Sequence, residues 1–264
     1  MEFLTDFLYD SCMKRNDTSW NEVANWYDDL LSDPESYQQK VILPNLIRLL
    51  GNVKDKHVLD LGCGQGFFSH AFSRNGADVT GVDLSQELIA LAREHSNRQG
   101  TFVVGSAEKL PTEIGTGAFD TAVCVLALQN IKNLDAAIGE GARALKTGGA
   151  FHIVLNHPAF RIPKRSSWGF DDTAGIQYRR LDGYLSESSH EIVMHPGKEE
   201  KSTTSSFHRP LQLYFKSFAK HGFVVNRLEE WISHKESEPG SRKFAEDRAR
   251  KEFPLFLYLG LIRM

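Results

Sequence analysis

Val58-Leu59-Asp60-Leu61-Gly62-Cys63-Gly64-Gln65-Gly66-Phe67-Phe68 is the stretch on which the reading turns. An apolar, β-branched run passes through one acid into glycines at every second position, and Ser69–Arg74 continues as a helix. Strand, glycine turn and helix open a βαβ unit, in which residues without Cβ let backbone approach a ligand closely. The spacing is G-x-G-x-G with an acid two residues ahead, not the G-x-G-x-x-G that cradles a pyrophosphate. A carboxylate at Asp60 repels a pyrophosphate and suits a ligand carrying an ammonium or sulfonium group.

Outward from this motif, Asp78-Val79-Thr80-Gly81-Val82-Asp83 reads as a second strand ending in an acid. Asp83 either accepts from ribose hydroxyls or caps the helix over Ser85–Arg93, a task that Ser85 can also perform. A third strand, Thr101–Val104, runs into Gly105-Ser106-Ala107-Glu108-Lys109-Leu110-Pro111. Phe119–Leu126 is a fourth strand buried on both faces, opening into Ala127-Leu128-Gln129-Asn130-Ile131. A helix over Ala136–Leu145, capped by Asn133 or Asp135, is expected to end at Gly148-Gly149 before a fifth strand, Ala150–Leu155.

These motifs together resemble the class I S-adenosylmethionine-dependent methyltransferases, of the small-molecule kind with a type 11-like domain. The match is strong over about Val53–Lys146 and follows by pattern over 211–264. It implies a Rossmann-like α/β fold: a seven-stranded, mostly parallel sheet with an antiparallel last strand, an N-terminal helical cap and a lid inserted after strand 5. The implied divisions are 1–50 for the cap, 51–155 for the cofactor-binding core, 156–209 for the insertion and 210–264 for the rest of the sheet. The implied cofactor is S-adenosyl-L-methionine, leaving S-adenosyl-L-homocysteine as product. Its implied contacts are Asp60, Gly62, Cys63, Gly64 and Gly66 of the first motif, Asp83, Leu84 flanking adenine, Ser106, Ala107 and Glu108 of the third turn, and Leu126. Ser106 departs from the family pattern, which carries an acid there, and its hydroxyl is a weaker acceptor for an adenine amino group. Gln129 and Asn130, beyond the fourth strand, would face the methionine part or the acceptor.

Before the core, Asp17-Thr18-Ser19 offers an N-cap to a helix carrying Trp20, Val23, Ala24, Tyr27, Leu30 and Leu31. A second helix is expected from Ser36 to Leu50, with Pro44 inside it or at a break. Trp20, Trp26, Tyr27 and Tyr37 either pack on the sheet or reach over the ligand.

The stretch 156–209 departs from βα alternation. Gln177–Ser186 and His190–Met194 are expected to pair as a hairpin turning near Ser188-Ser189. His157, His190, His195 and His208 lie here. None has metal-ligand spacing, so no metal site is expected. His157 and His208, at the two ends, are the candidate general bases, with capping or core packing as the alternative. Arg161, Lys164, Arg165, Arg179 and Arg180 outnumber Asp171 and Asp172, which suits an acidic acceptor, a phosphate or simply a solvated face. After Pro210 a helix over Leu211–Lys220 is expected, then a strand over 223–228, a charged loop and helix, and a last strand within Phe253–Met264.

The 264 residues are 41% apolar and 25% charged, with a formal charge of −3, which argues against a protein living by phosphate contacts. Cys12, Cys63 and Cys124 form no CxxC pair, as suits a reducing compartment. Glu2, Asp6 and Asp10 are unlike a basic-then-apolar signal peptide, and no apolar run is long enough for a membrane span. The expectation is a cytoplasmic enzyme with a small-molecule acceptor. An RNA or protein methyltransferase and a non-catalytic cofactor-binding protein share the same motifs.

Overall fold

The computed structural model describes residues 20–96, 99–194 and 203–264. The expected cap at Asp17–Ser19 and His195, Cys12, Glu2, Asp6 and Asp10 lie outside them. Seven strands form the central sheet: β1 (His57–Leu61), β2 (Asp78–Asp83), β3 (Thr101–Val104), β4 (Phe119–Val125), β5 (Leu145–Asn156), β10 (Phe223–Trp231) and β11 (Phe256–Arg263). Their order across the sheet is β3-β2-β1-β4-β5-β11-β10, with β11 antiparallel to both of its neighbours. The order reverses between β1 and β4, which run parallel with Val58 opposite Thr121. In such a sheet the crevice beyond the carboxyl ends at this reversal is where ligands sit.

The strands read as apolar runs because both faces are covered. Leu59, Leu61, Cys124 and Ile153 pack with Ile138 of α5 (Leu134–Ala144) and Phe218 of α6 (Leu211–Lys220). Val58, Val123 and Val154, one position away on each strand, pack on the opposite face. There they meet Leu46 of α2 (Leu43–Leu50) and Phe72 of α3 (Phe67–Arg74). Each fully buried Leu, Ile or Phe here stabilises the fold by roughly 1.5–3 kcal/mol.

Local chemistry sets the element ends. Ser85 caps α4 (Gln86–His95), its hydroxyl accepting from Leu88 N at 3.1 Å. Asn133 caps α5 by accepting from Ala136 N at 3.1 Å. Pro44 has no N–H to give, and the turn before it, Gln38–Ile42, widens into a π-helix before α2 begins. The first helix, α1, spans Ala24–Ser32.

Two expectations are corrected. The helix before β5 ends at Ala144 rather than at the glycine pair, and Gly148-Gly149 lie within the strand. There the ladder slips: positions 119 to 121 of β4 run opposite 145 to 150 of β5. Gly148, at φ +79°, takes up the extra chain. The insertion forms two hairpins rather than one. β6 (Ser166–Asp171) pairs with β7 (Ile176–Leu181), and β8 (Ser188–Val193) pairs with β9 (Thr203–His208). The turn chemistry lies at Asp171, whose Oδ1 accepts from Thr173 N and Ala174 N, followed by Gly175 at φ +64°. Ser188 and Ser189 are not a turn; they stand opposite His208 and Phe207 in a ladder. The closing part, α6, β10, α7 (Lys243–Glu252) and β11, follows the expected course. Among the described residues no helix is long and apolar enough to cross a membrane.

Candidate functional site

A cavity of about 400 Å³ opens beyond the carboxyl ends of β1, β2, β3 and β4. The glycine turn forms its floor. Gly62, Gly64 and Gly66 have φ of +73°, +56° and +83°, a region that L side chains rarely adopt. At Gly62 the demand is also spatial, since a Cβ there would stand 2.5 Å from the Cβ of Ala127. The glycine turn and the loop after β4 therefore touch, back to back, at the site.

Asp83 holds this floor in place. Its Oδ2 accepts from Gly64 N and its Oδ1 from Ser85 N, both at 2.9 Å. Burial raises its pKa, opposed by those backbone hydrogen bonds. The same carboxylate lines the cavity with its lone pairs only partly used, beside Leu84 and Leu88. Across from it Ser106, Ala107 and Glu108 complete the wall. The Ser106 hydroxyl accepts from Glu108 N at 3.1 Å, and Glu108 accepts from Asn133 N at 2.8 Å. The acid missing at position 106 is thus replaced by a hydroxyl that also fixes the turn.

Asp60 and Gly66, expected among the cofactor contacts, are not on the cavity surface. Asp60 is buried beneath the turn, where Oδ2 accepts from the Ser69 hydroxyl at 2.6 Å. Burial pushes its pKa up to about 7, with the Ser69 bond opposing and nearby Asp83 adding to the rise. Gly66 serves as the N-cap residue of α3. Gly62, Cys63, Gly64, Asp83, Leu84, Ser106, Ala107, Glu108 and Leu126 all line the cavity. Cys63 contributes as backbone: its thiol turns inward towards Gly64 O, and burial holds its pKa well above the ordinary value. Cys124 is core, again with burial raising its pKa.

The loop after β4 is held under strain. Leu126 has φ +54°, uncommon for a residue with a side chain, which costs on the order of 1–3 kcal/mol. Its N–H donates to Val154 O, and its carbonyl accepts from Gln129 Nε2 at 2.7 Å. Arg209 then clamps the loop, donating to the carbonyls of Leu128, Ile131 and Lys132 at 3.3, 2.8 and 2.7 Å.

Over the floor come the cap and the insertion. Of the four N-terminal aromatics, Trp20 and Tyr27 line the cavity, edge to face at 5.4 Å. Burial pushes the Tyr27 hydroxyl up to about 12, with Asp83 adding to the rise. Tyr37 packs elsewhere, against Phe256 and His234. From the insertion, Thr204, Ser205 and Phe207 of β9 close the far wall beside Asn130 and Lys132. Spacing alone did not reveal these residues. The only hint was a lone aromatic in a polar run, and the pairing that brings it to the site is long-range.

Neither candidate base faces this cavity. His157 accepts from Ala159 N at Nδ1 (3.2 Å), so its Nε2 carries the proton and donates to Glu230 at 2.8 Å. Burial lowers its pKa, opposed by Glu230. With both nitrogens engaged and its ring 4.8 Å from that of Phe160, it ties the start of the insertion to β10. His208 Nε2 donates to Tyr184 O at 2.7 Å, and burial lowers its pKa too. It lines a second, smaller cavity of about 40 Å³, as does Gln129.

The residues present fit a nucleoside-and-amino-acid ligand. A strained glycine floor admits close backbone contact, a half-used carboxylate stands where a diol could donate, and apolar walls flank it. Comparisons with known proteins agree. A methyltransferase domain family model matches residues 59–153. A ubiquinone biosynthesis O-methyltransferase of Bordetella avium is 34% identical over 144 residues, 51% of this chain and 57% of that protein. Its counterpart in Xanthomonas oryzae pv. oryzae is 43% identical over 99 residues, 36% and 41% of the two chains. The chain thus spans about half the length of the curated relatives it matches. A solved S-adenosylmethionine-dependent methyltransferase from Mesorhizobium loti superposes with a TM-score of 0.69 at 26% identity, covering 88% of this chain and 100% of that one.

Proposed function

We propose, for a chain that belongs to the class I S-adenosylmethionine-dependent methyltransferases, that the acceptor is a small molecule and the nucleophile an oxygen. One observation carries the small-molecule reading. The wall opposite the glycine floor is made by Trp20, Tyr27, Thr204, Ser205 and Phe207, so a reacting centre in this cavity would be covered by the chain itself. The O-methyltransferase names of the partial relatives support oxygen as the nucleophile.

The cofactor supplies a methyl group on a sulfonium, already bound to a good leaving group. Asp83 would hold the ribose hydroxyls, Leu84 and Leu88 the adenine faces, and Ser106 with the backbone of Ala107 the adenine edge. Gly62, Cys63 and Gly64 would offer backbone to the amino-acid end. Asp60, beneath the turn, would add a negative field for the cationic groups without touching them. The strained Leu126 loop, locked by Arg209, would hold the acceptor in line. Positioning two reactants in a dry cavity is worth up to roughly 7–11 kcal/mol of barrier, so catalysis does not require a histidine, and none lines these walls among the described residues. His157 is an anchor in this reading, and no proton transfer is assigned to it or to His208.

Calorimetric titration with S-adenosylmethionine, S-adenosylhomocysteine and NAD tests the cofactor site. The first two are expected to bind, and Asp83→Ala to weaken them about 100-fold, close to 2.7 kcal/mol. Binding of NAD alone, or of none of the three, overturns the reading. Turnover of small phenols or alcohols, measured as S-adenosylhomocysteine release, then tests the acceptor.

A further inference from the structure

The basic residues of the insertion find a use in the smaller cavity. It adjoins the larger one: Gln129 and Asn130 are consecutive, one in each wall, and Phe207 borders both. Arg161 lines it, and among the described residues that guanidinium makes no ion pair and donates no side-chain hydrogen bond. Arg179 and the phenol of Tyr37 act on it electrostatically, and the same cavity is lined by Arg209 and His208, both already engaged with backbone carbonyls. Arg179 is already engaged, donating to Phe160 O and to the Ser166 hydroxyl.

A second, independent feature lies in the same cavity. Gln129 is 9% exposed, and the 2.7 Å bond from its Nε2 to Leu126 O fixes which way its amide points. Its Oε1 is buried with no donor to meet it. The buried, orphaned acceptor calls for a hydrogen to accept, and the solvent-exposed, unpaired guanidinium in the same cavity suits a ligand whose other end is negative. A cavity of about 40 Å³ has room for a carboxylate and a water, since one water needs roughly 10–15 Å³ of such space.

We propose that this smaller cavity is a carboxylate subsite for the acceptor, with Arg161 as its cation and Gln129 Oε1 receiving a hydroxyl or bridging water of the same ligand. The inference rests on the small-molecule reading above and narrows it to acidic acceptors whose carboxylate reaches past Phe207. Arg161 then sets specificity without touching the methyl group. A planar guanidinium can grip a carboxylate through two parallel bonds, which an ammonium cannot.

The test uses the chain loaded with S-adenosylhomocysteine, titrated with benzoate, methyl benzoate and sulfate in the wild type, Arg161→Gln, Arg161→Lys and Arg180→Gln. Arg161 and Arg180 are both at the surface of the insertion, so the variants fold. Benzoate is expected to bind the wild type, about tenfold more weakly in Arg161→Gln and in between in Arg161→Lys. Arg180→Gln, which changes only the general field, should stay within about twofold. Methyl benzoate should bind the wild type no better than benzoate binds Arg161→Gln. Affinity for S-adenosylhomocysteine should be equal in all four proteins. Equal benzoate affinity in Arg161→Gln, an ester as tight as the acid, sulfate as tight as benzoate, or no benzoate binding at millimolar concentration each overturns the proposal. If S-adenosylhomocysteine itself fails to bind, the cofactor reading falls instead, and the same titrations on the unloaded protein still judge Arg161.

Discussion

Two glycines at nearly equal distance from trouble show how differently the halves of this molecule are built. A Cβ on Gly62 would stand 2.5 Å from Ala127 Cβ, and one on Gly169 would stand 2.3 Å from the Tyr178 ring. Gly62 has φ +73°, and its neighbour is a short side chain on a loop pinned by Arg209. Gly169 sits in a two-stranded hairpin whose cross-strand partner, Tyr178, is 47% exposed and free to swing outwards. At the glycine floor the left-handed φ adds a backbone demand that no movement of a neighbour relieves. At Gly169 the only obstacle is the far end of an exposed side chain, which can move.

The sharpest way to break this contrast is Gly62→Ala. It is expected to cost roughly 3 kcal/mol or more, through the left-handed φ and the clash together, and to abolish cofactor binding. Thermal unfolding and titration would show both, and a fold that tolerates the change would mean the floor is softer than the geometry says.

Asp60→Asn comes next, with the opposite sign for stability. A carboxyl whose pKa rises from its ordinary value to about 7 on folding penalises the native state increasingly from about pH 4 up to pH 7, and fully above that. The variant without cofactor should therefore be more stable than the wild type by on the order of 2–4 kcal/mol at pH 8 and about equal at pH 4. For the cationic cofactor the wild-type affinity should fall as pH drops below about 7. That dependence should vanish in the variant. Calorimetry across pH 5–8 reads both effects.

His157→Ala tests the join between the halves. Losing a buried ring that accepts from Ala159 and donates to Glu230 should cost about 1–3 kcal/mol of stability while leaving cofactor affinity within about twofold. Unchanged stability with lost turnover would return His157 to the role of base. Gly169→Ala should do least. Because the exposed Tyr178 can rotate away, the expected loss is below about 1 kcal/mol with no effect on either ligand.

The same contrast explains what was legible in the sequence. β1, β2, β3 and β4 lie on both sides of a core, so their apolar runs stand out, and turn acids or caps such as Asp83 and Ser85 mark their ends. α6 begins after Pro210 and ends at Lys220, as expected, because a fixed extended residue and a loss of apolar spacing mark it. In the insertion, β6, β7 and β8 carry side chains that are exposed or half-buried on both faces, so alternation says little about which strand pairs with which. Phe207 was invisible as a wall residue because β9 reaches the site by docking on the loop after β4, a contact between positions some 80 apart in the chain. Asp60 and Gly66 were read as contacts because the motif is written along the chain. The turn it describes has an inner side, and both residues are on it.

Arg209 has a mechanical consequence. By gripping three carbonyls of the loop after β4, it ties the end of the insertion to that loop, so β9 and the Leu126–Lys132 segment are joined in one bracket. A door cannot be bolted to the sill it must clear. An opening that admits a ligand would therefore belong to the opposite side, where Tyr27 of α1 and Trp20, just before that helix, cross the cavity and no side chain caps the first turn of α1.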